Sequence, residues 1–206
     1  MSQPERAART RQIIVRAAAE VFEEHGFNGA RLTMITKQSG LTMGAIYFHF
    51  ASKEDIARAV MLQQGDELRL PDGEDGLQRL IDITMYLAGQ LRVNALLRAG
   101  VRLAVEQGAF GMREDAAYRR WAEQFHAQLT AARAQGDLLP EVDEADLAQL
   151  LVSAYSGTQL LSELSSSRAD LPDRILTMWR YLLPGVATAE ARVKLRLNTE
   201  LAQKSA

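Results

Sequence analysis

Residues 33–55, TMITKQSGLTMGAIYFHFASKED, leave this chain few choices. Gly40 and two capping residues, Thr42 and Ser52, divide the stretch into two short helices and the start of a third. Gly40 tolerates the tight turn, and the Thr42 hydroxyl can accept from the orphan N–H groups of the helix behind it. Ser52 and Asp55 stand at the S-x-x-D spacing of a capping box. With Ile35 directed inward on the first short helix, this is the grammar of a helix-turn-helix. Tyr47, Phe48, His49 and Phe50 then crowd four rings into one helical turn, more than a small core needs, so some of them face outward.

The remainder reads as helix throughout. Over residues 6–25 the apolar positions Ile14, Ala17, Ala18, Val21 and Phe22 follow the helical period, and Gly26 supplies the stop. Arg6, Arg9 and Arg11 in its leading turns oppose the positive end of the helix dipole, a placement that suits a nearby phosphate. A fourth helix runs from Ser52 to about Gly65, and PDGEDG at 71–76 is the clearest turn in the chain. Leu77, Leu80, Ile81, Thr84, Leu87, Ala88 and Leu91 mark a fifth helix, apolar around much of its circumference as a central helix should be. Residues 95–106, 115–135 and 143–161 give three more, the last capped by Asp143 over Asp146. Pro172 opens a ninth that ends near residues 184–185. A tenth, from Thr188, carries Val193, Leu197 and Leu201 as an apolar stripe. No strand pattern, βαβ unit or internal repeat breaks the series, and the expected fold is all-α.

With 206 residues, 47% of them hydrophobic and 24% charged, the chain has the makeup of a folded, soluble protein. The absence of cysteine excludes a disulfide framework and a thiolate metal site, and His25, His49 and His126 are too dispersed for a zinc cluster. Neither a cofactor nor a metal is expected. No apolar run is long enough to span a membrane and the N-terminus lacks a signal-peptide core, so the expected location is the cytoplasm, on the nucleoid. Net charge is −2, yet residues 1–53 carry seven basic against four acidic side chains, which sets a basic segment on an acidic remainder.

GLTMGAIYFHFASKED resembles the DNA-binding signature of the tetracycline-repressor family, and within it most closely the γ-butyrolactone receptors. The resemblance runs through Gly40, Gly44, Tyr47, His49, Phe50 and Lys53. It implies a helix-turn-helix domain over residues 1–51 and a helical ligand-binding and dimerisation domain over 52–206. It also implies a repressor, not an enzyme, that binds palindromic double-stranded operator DNA as a homodimer and is released by a γ-butyrolactone-like effector. The second helix of the motif would lie in the major groove. Thr42, Met43, Gly44 and Ala45 would approach base edges, while Tyr47, His49, Lys53, Arg9 and Lys37 would contact phosphates; Ile46 and Phe50 are core. The dimer interface maps to residues 143–165 and 172–202.

Two positions depart from the family pattern. Close relatives usually carry lysine at Met43, so the thioether here would exchange a guanine-directed donor for an apolar contact such as a thymine methyl. Arg31 stands where relatives commonly have a capping Thr or Ser, so the first motif helix starts at Thr33 or begins poorly capped.

For the effector, the resemblance implies Gln64, Trp121 and Thr158. Their chemistry suits a lactone with an acyl tail: a flat apolar wall with one N–H, a hydroxyl, and an amide that donates to a carbonyl. A tryptophan on an apolar helix face is, from the residue alone, more often core. Two alternatives stand beside this reading. One keeps the DNA-binding half and senses an antibiotic, a biosynthetic intermediate or another furan or butenolide signal. The other is an all-α small-molecule enzyme, for which the chain offers no G-x-S-x-G elbow, phosphate loop, dinucleotide fingerprint or H-E-x-x-H pair, and Ser156-Gly157 is isolated.

Overall fold

A computed structural model describes residues 3–66 and 68–204; positions 1, 2, 67, 205 and 206, among them the outer ends of both expected domains, lie outside the described residues. Among the described residues the fold is all-α: α1 (Gln3–Gly29), α2 (Leu32–Ser39), α3 (Met43–His49), α4 (Lys53–Gln63), α5 (Leu77–Val93), α6 (Ala95–Glu106), α7 (Ala116–Ala134), α8 (Glu144–Ser166), α9 (Leu171–Val186), α10 (Ala189–Lys194) and α11 (Glu200–Lys204). A 3-10 turn, Gln107–Phe110, follows α6, and one isolated bridge joins Leu138 to Ala187. None of the described helices is long and apolar enough to cross a membrane.

These elements form two compact units. The first takes the chain up to Leu68 together with Asn94–Ala117. The motif-based expectation divides the chain between residues 51 and 52; compactness draws the line elsewhere, because α4 and α6 both pack on α1. Inside α1, Ile14, Val15, Ala17, Ala18, Ala19, Val21 and Phe22 are buried. Gly26, the expected stop, has φ 65° and kinks the helix, and one further turn runs on to Gly29.

The kink is secured from α6. Arg102 donates to the Glu23 carbonyl, and the Glu106 carboxylate accepts the Phe27 N–H at 3.0 Å. Backbone groups freed by the break are thus met by side chains. The positive φ at position 26 calls for glycine there, and a Cβ would also displace the Arg102 guanidinium, 2.7 Å away.

The second unit holds Arg69–Val93 and the chain from Tyr118 onward. α5 is its axis: Leu77, Leu80, Ile81, Ile83, Thr84, Met85, Leu87, Ala88 and Leu91 are all buried, which accounts for its wide apolar circumference. The buried Trp179 of α9 donates its indole N–H to Thr84 at 2.8 Å, and Thr84 donates to the Ile81 carbonyl at 2.7 Å. Before α5, the expected turn is tied down by Gln128, which accepts the Gly76 N–H at 3.1 Å and donates to Asp75 at 2.9 Å. Between α8 and α9, Asp170 accepts from Ser162, Ser166 and Arg174, and these contacts hold its carboxyl well below the usual carboxylate range.

The capping residues behave as their spacing predicts. Thr42 accepts from the Ala45 N–H at 3.2 Å, Ser52 from Asp55 at 3.1 Å, and Asp143 from Asp146 at 2.9 Å. The tenth helix does not run as expected. α10 stops at Lys194, the backbone is extended at Leu195, and α11 begins only at Glu200. The interruption is held by Gln78 of α5, which accepts the Arg196 N–H at 2.8 Å and donates to the Arg196 carbonyl at 3.3 Å. Val193, on the expected apolar stripe, is 88% exposed, while Ala202 is buried.

Candidate nucleic-acid interface and effector residues

In the first unit, α2 begins at Leu32 with Arg31 at its N-cap and no side-chain hydrogen bond there. This is the poorly capped start that the sequence departure predicts. Gly40 closes α2 in the left-handed region, φ 70°, and its N–H donates to the Thr36 carbonyl at 3.0 Å. From this turn Thr42 launches α3, a helix of seven residues held by Ile46, with Phe50 just beyond its end; both are buried.

With that side fixed, the remaining residues of α3 are shown outward. Tyr47 is 55% exposed and Phe48 81%, while Thr42 and Gly44 are exposed and Met43, Ala45 and His49 half-buried. Phe48 meets His49 edge-on, ring centroids 5.1 Å apart. Gly44 and Phe48 are one turn apart, so the ring stands on a strip of helix with no side chain below it. Phe48 was absent from the residues that the family signature implies, although four rings in one turn already require some to point out. Only the packing of Ile46 and Phe50 shows which.

The cations divide into two groups. Arg9 and Lys37 are exposed. Arg11 instead lies over the Phe50 ring, 4.9 Å from its centroid. Because α1 includes Gln3, Arg9 and Arg11 sit beyond its first turn, where the dipole has little effect. Lys53 is turned to the interior: its ammonium donates to the Phe27 carbonyl at 2.9 Å and the Ala30 carbonyl at 3.0 Å, and lies 4.1 Å from the Phe27 ring centroid. Two of its three donors are thereby used to lock α4 to the α1–α2 junction.

The three residues implied for an effector are found in different settings. Gln64, at the C-cap of α4 in the first unit, is 5% exposed, and its buried Oε1 has no hydrogen-bond partner among the described residues. It presses on Gly100 of α6, where an added Cβ would come within 2.6 Å of the Gln64 Cβ. Glycine is what permits this approach.

Trp121 and Thr158 belong to the second unit. Trp121 is half-buried, its ring 6.2 Å from that of Phe125 and tilted by 50°. The fully buried tryptophan is Trp179. Thr158 is half-buried on α8 beside an open groove of about 470 Å³ that it shares with Leu161, Asp170, Arg174, Thr177 and Met178.

Comparison with known proteins places this geometry. Residues 14–60 match the family model of bacterial regulatory proteins, tetR family, and residues 74–188 match the tetracyclin repressor-like C-terminal domain. The chain is 37% identical over 187 residues to the A-factor receptor protein of Streptomyces griseus, covering 91% of this chain and 67% of that one. The fold is similar to full-length native TylP, a TetR regulator from Streptomyces fradiae, with a TM-score of 0.86, 38% identity and 97% of each chain covered. It is also similar to a γ-butyrolactone receptor described as ArpA-like, with a TM-score of 0.70 and 29% identity over 97% of this chain and 98% of that one.

Proposed function

The chain belongs to the tetR family of bacterial regulatory proteins, and from that premise we propose that it is a repressor released from operator DNA by a γ-butyrolactone-type effector. Family regulators bind operator DNA as dimers. Here two copies hold paired α3 helices in successive major-groove turns of a palindromic site. The observation that carries the DNA half is the outward display of Tyr47 and Phe48 on a helix whose opposite side is pinned by Ile46. A ring left as fully in water as Phe48 contributes little to folding, whereas a duplex gives both rings methyl groups and phosphates to contact.

Thr42, Met43, Gly44 and Ala45 approach base edges. Tyr47, His49, Arg9 and Lys37 contact phosphates, and Lys53 contributes its one remaining donor. The two-fold interface is assigned to α8 and α9, which leave Leu161, Leu164 and Tyr181 exposed. Binding driven by phosphate contacts falls steeply with salt, and a flat salt profile with turnover of a small molecule would instead favour an all-α enzyme.

Release requires an element that both the effector and the DNA can bias. α4 fits that role. Its start is locked by Lys53 to the carbonyls leading into α2, and its end carries against Gly100 the Gln64 carbonyl, which has no partner among the described residues. Eleven residues make a rod roughly 16 Å long between the two. A hydroxyl donated to Gln64 would shift that end of α4, and the shift would reach α2 and α3 through Lys53. Moving occupancy from nearly all bound to nearly all free requires the effector to favour the released state by about 5.5 kcal/mol.

Trp121, half-buried beside Phe125, is assigned to the apolar part of the effector, and Gln64 and Thr158 are proposed as its polar contacts. The test uses Trp121→Ala in the full chain. Operator affinity is expected to stay at the wild-type level while release by a synthetic acyl γ-butyrolactone is lost. A mutant that still responds removes Trp121 from the site. Thermal-shift measurements with butenolide, furan and antibiotic probes distinguish this effector class from its neighbours.

A further inference from the structure

On the inner side of α8, Tyr155, Gln159 and Ser162 follow one another at helical spacing, and all three are buried. Such a run of polar side chains inside an apolar unit is costly unless each finds a partner. Ser162 does, donating to Asp170 at 2.5 Å. Gln159 does as well: its carbonyl accepts from Arg168 at 3.3 Å, and Arg168, itself buried, pairs with Glu163 at 2.7 Å. The Tyr155 hydroxyl is sealed from solvent and has no hydrogen-bond partner among the described residues.

Phenylalanine would fill the same space without that cost. Burial pushes the phenol's ionisation far up, and the nearby Arg168 guanidinium offsets only part of this, so the group remains an O–H donor at every physiological pH.

We propose that Tyr155 is an effector-recognition residue, whose hydroxyl donates to a carbonyl or carboxylate oxygen of the small molecule this regulator senses. The inference rests on the effector reading above and deepens it by naming the group recognised. A γ-butyrolactone supplies such an oxygen as its ring carbonyl, and its ring-opened hydroxy acid supplies a carboxylate. The neighbouring Arg168 favours whichever oxygen carries more negative charge.

Tyr155→Phe in the full-length protein tests this, because it removes one oxygen and leaves the ring. Without effector, the variant is expected to melt at the wild-type temperature or above it. A drop of several degrees would mean that the hydroxyl already has a structural partner, such as a buried water, and would overturn the proposal. Release from labelled operator is then titrated with a synthetic acyl γ-butyrolactone and, separately, with its ring-opened acid. The half-release concentration of the active probe is expected to rise roughly tenfold in the variant, the size of one lost hydrogen bond.

Equal response of variant and wild type also overturns the proposal. The probe that loses more in the variant identifies which oxygen is recognised. Wild-type silence towards both probes counts against the butyrolactone reading itself, and Tyr155 is then judged on melting alone: a fall refutes it, and an unchanged or raised temperature supports it.

Discussion

Phe48 shows how much one side chain can carry. Its ring is 81% exposed, so folding gains nothing from it, and truncation should leave stability within about 0.5 kcal/mol of wild type. Phe48→Ala is expected to weaken operator binding roughly tenfold, about 1.4 kcal/mol, as measured by fluorescence anisotropy beside a thermal melt. A melt that falls with affinity intact would assign the ring to folding. Met43, on the same helix, is a matter of preference rather than strength. Met43→Lys restores a donor for guanine O6 or N7, and across an operator panel the variant should shift its choice at one base pair by about 1–3 kcal/mol. Identical preferences for the two proteins would dismiss Met43 as a reader of sequence.

Among the helices, α2 is the weakest link in the motif. It has eight residues, one buried side chain, Ile35, and no side-chain cap at Arg31. Replacing Arg31 by Ser should supply the missing acceptor and stabilise the protein by about 1 kcal/mol, which denaturant unfolding would register as a higher midpoint at unchanged slope. No gain in midpoint would show that the N–H groups of α2 are already adequately met by water. α3 has its cap in Thr42, and α4 has both Ser52 and the inward Lys53. Cap positions were legible in advance because they depend on residues three apart. The Lys53 contacts were not, since they join α4 to carbonyls 23 and 26 residues earlier.

For the whole molecule, the apolar residues left exposed on α8 and α9 matter most. Leu164 is 77% exposed and Tyr181 83%, on helices whose other sides build the second unit's core. Exposed apolar surface of this kind is what supports the interface proposed above. The double change Leu161→Glu and Leu164→Glu should convert dimer to monomer in sedimentation velocity and lower operator affinity with it, because a single seven-residue reading helix makes too few contacts to hold a site alone. Retention of dimer mass would move the interface elsewhere.

Local pattern was enough to determine the all-α fold, the caps at Thr42, Ser52 and Asp143, the turn at Gly40, and the family, because each depends on side chains within a few positions of one another. Tertiary structure alone decided which of the four rings faces outward, that Trp179 and not Trp121 fills the core, that Lys53 serves backbone carbonyls, and that the last helix is split by Gln78. Each of these is settled by groups distant in the chain competing for the same buried space or the same hydrogen bonds, and helical periodicity carries no record of that competition.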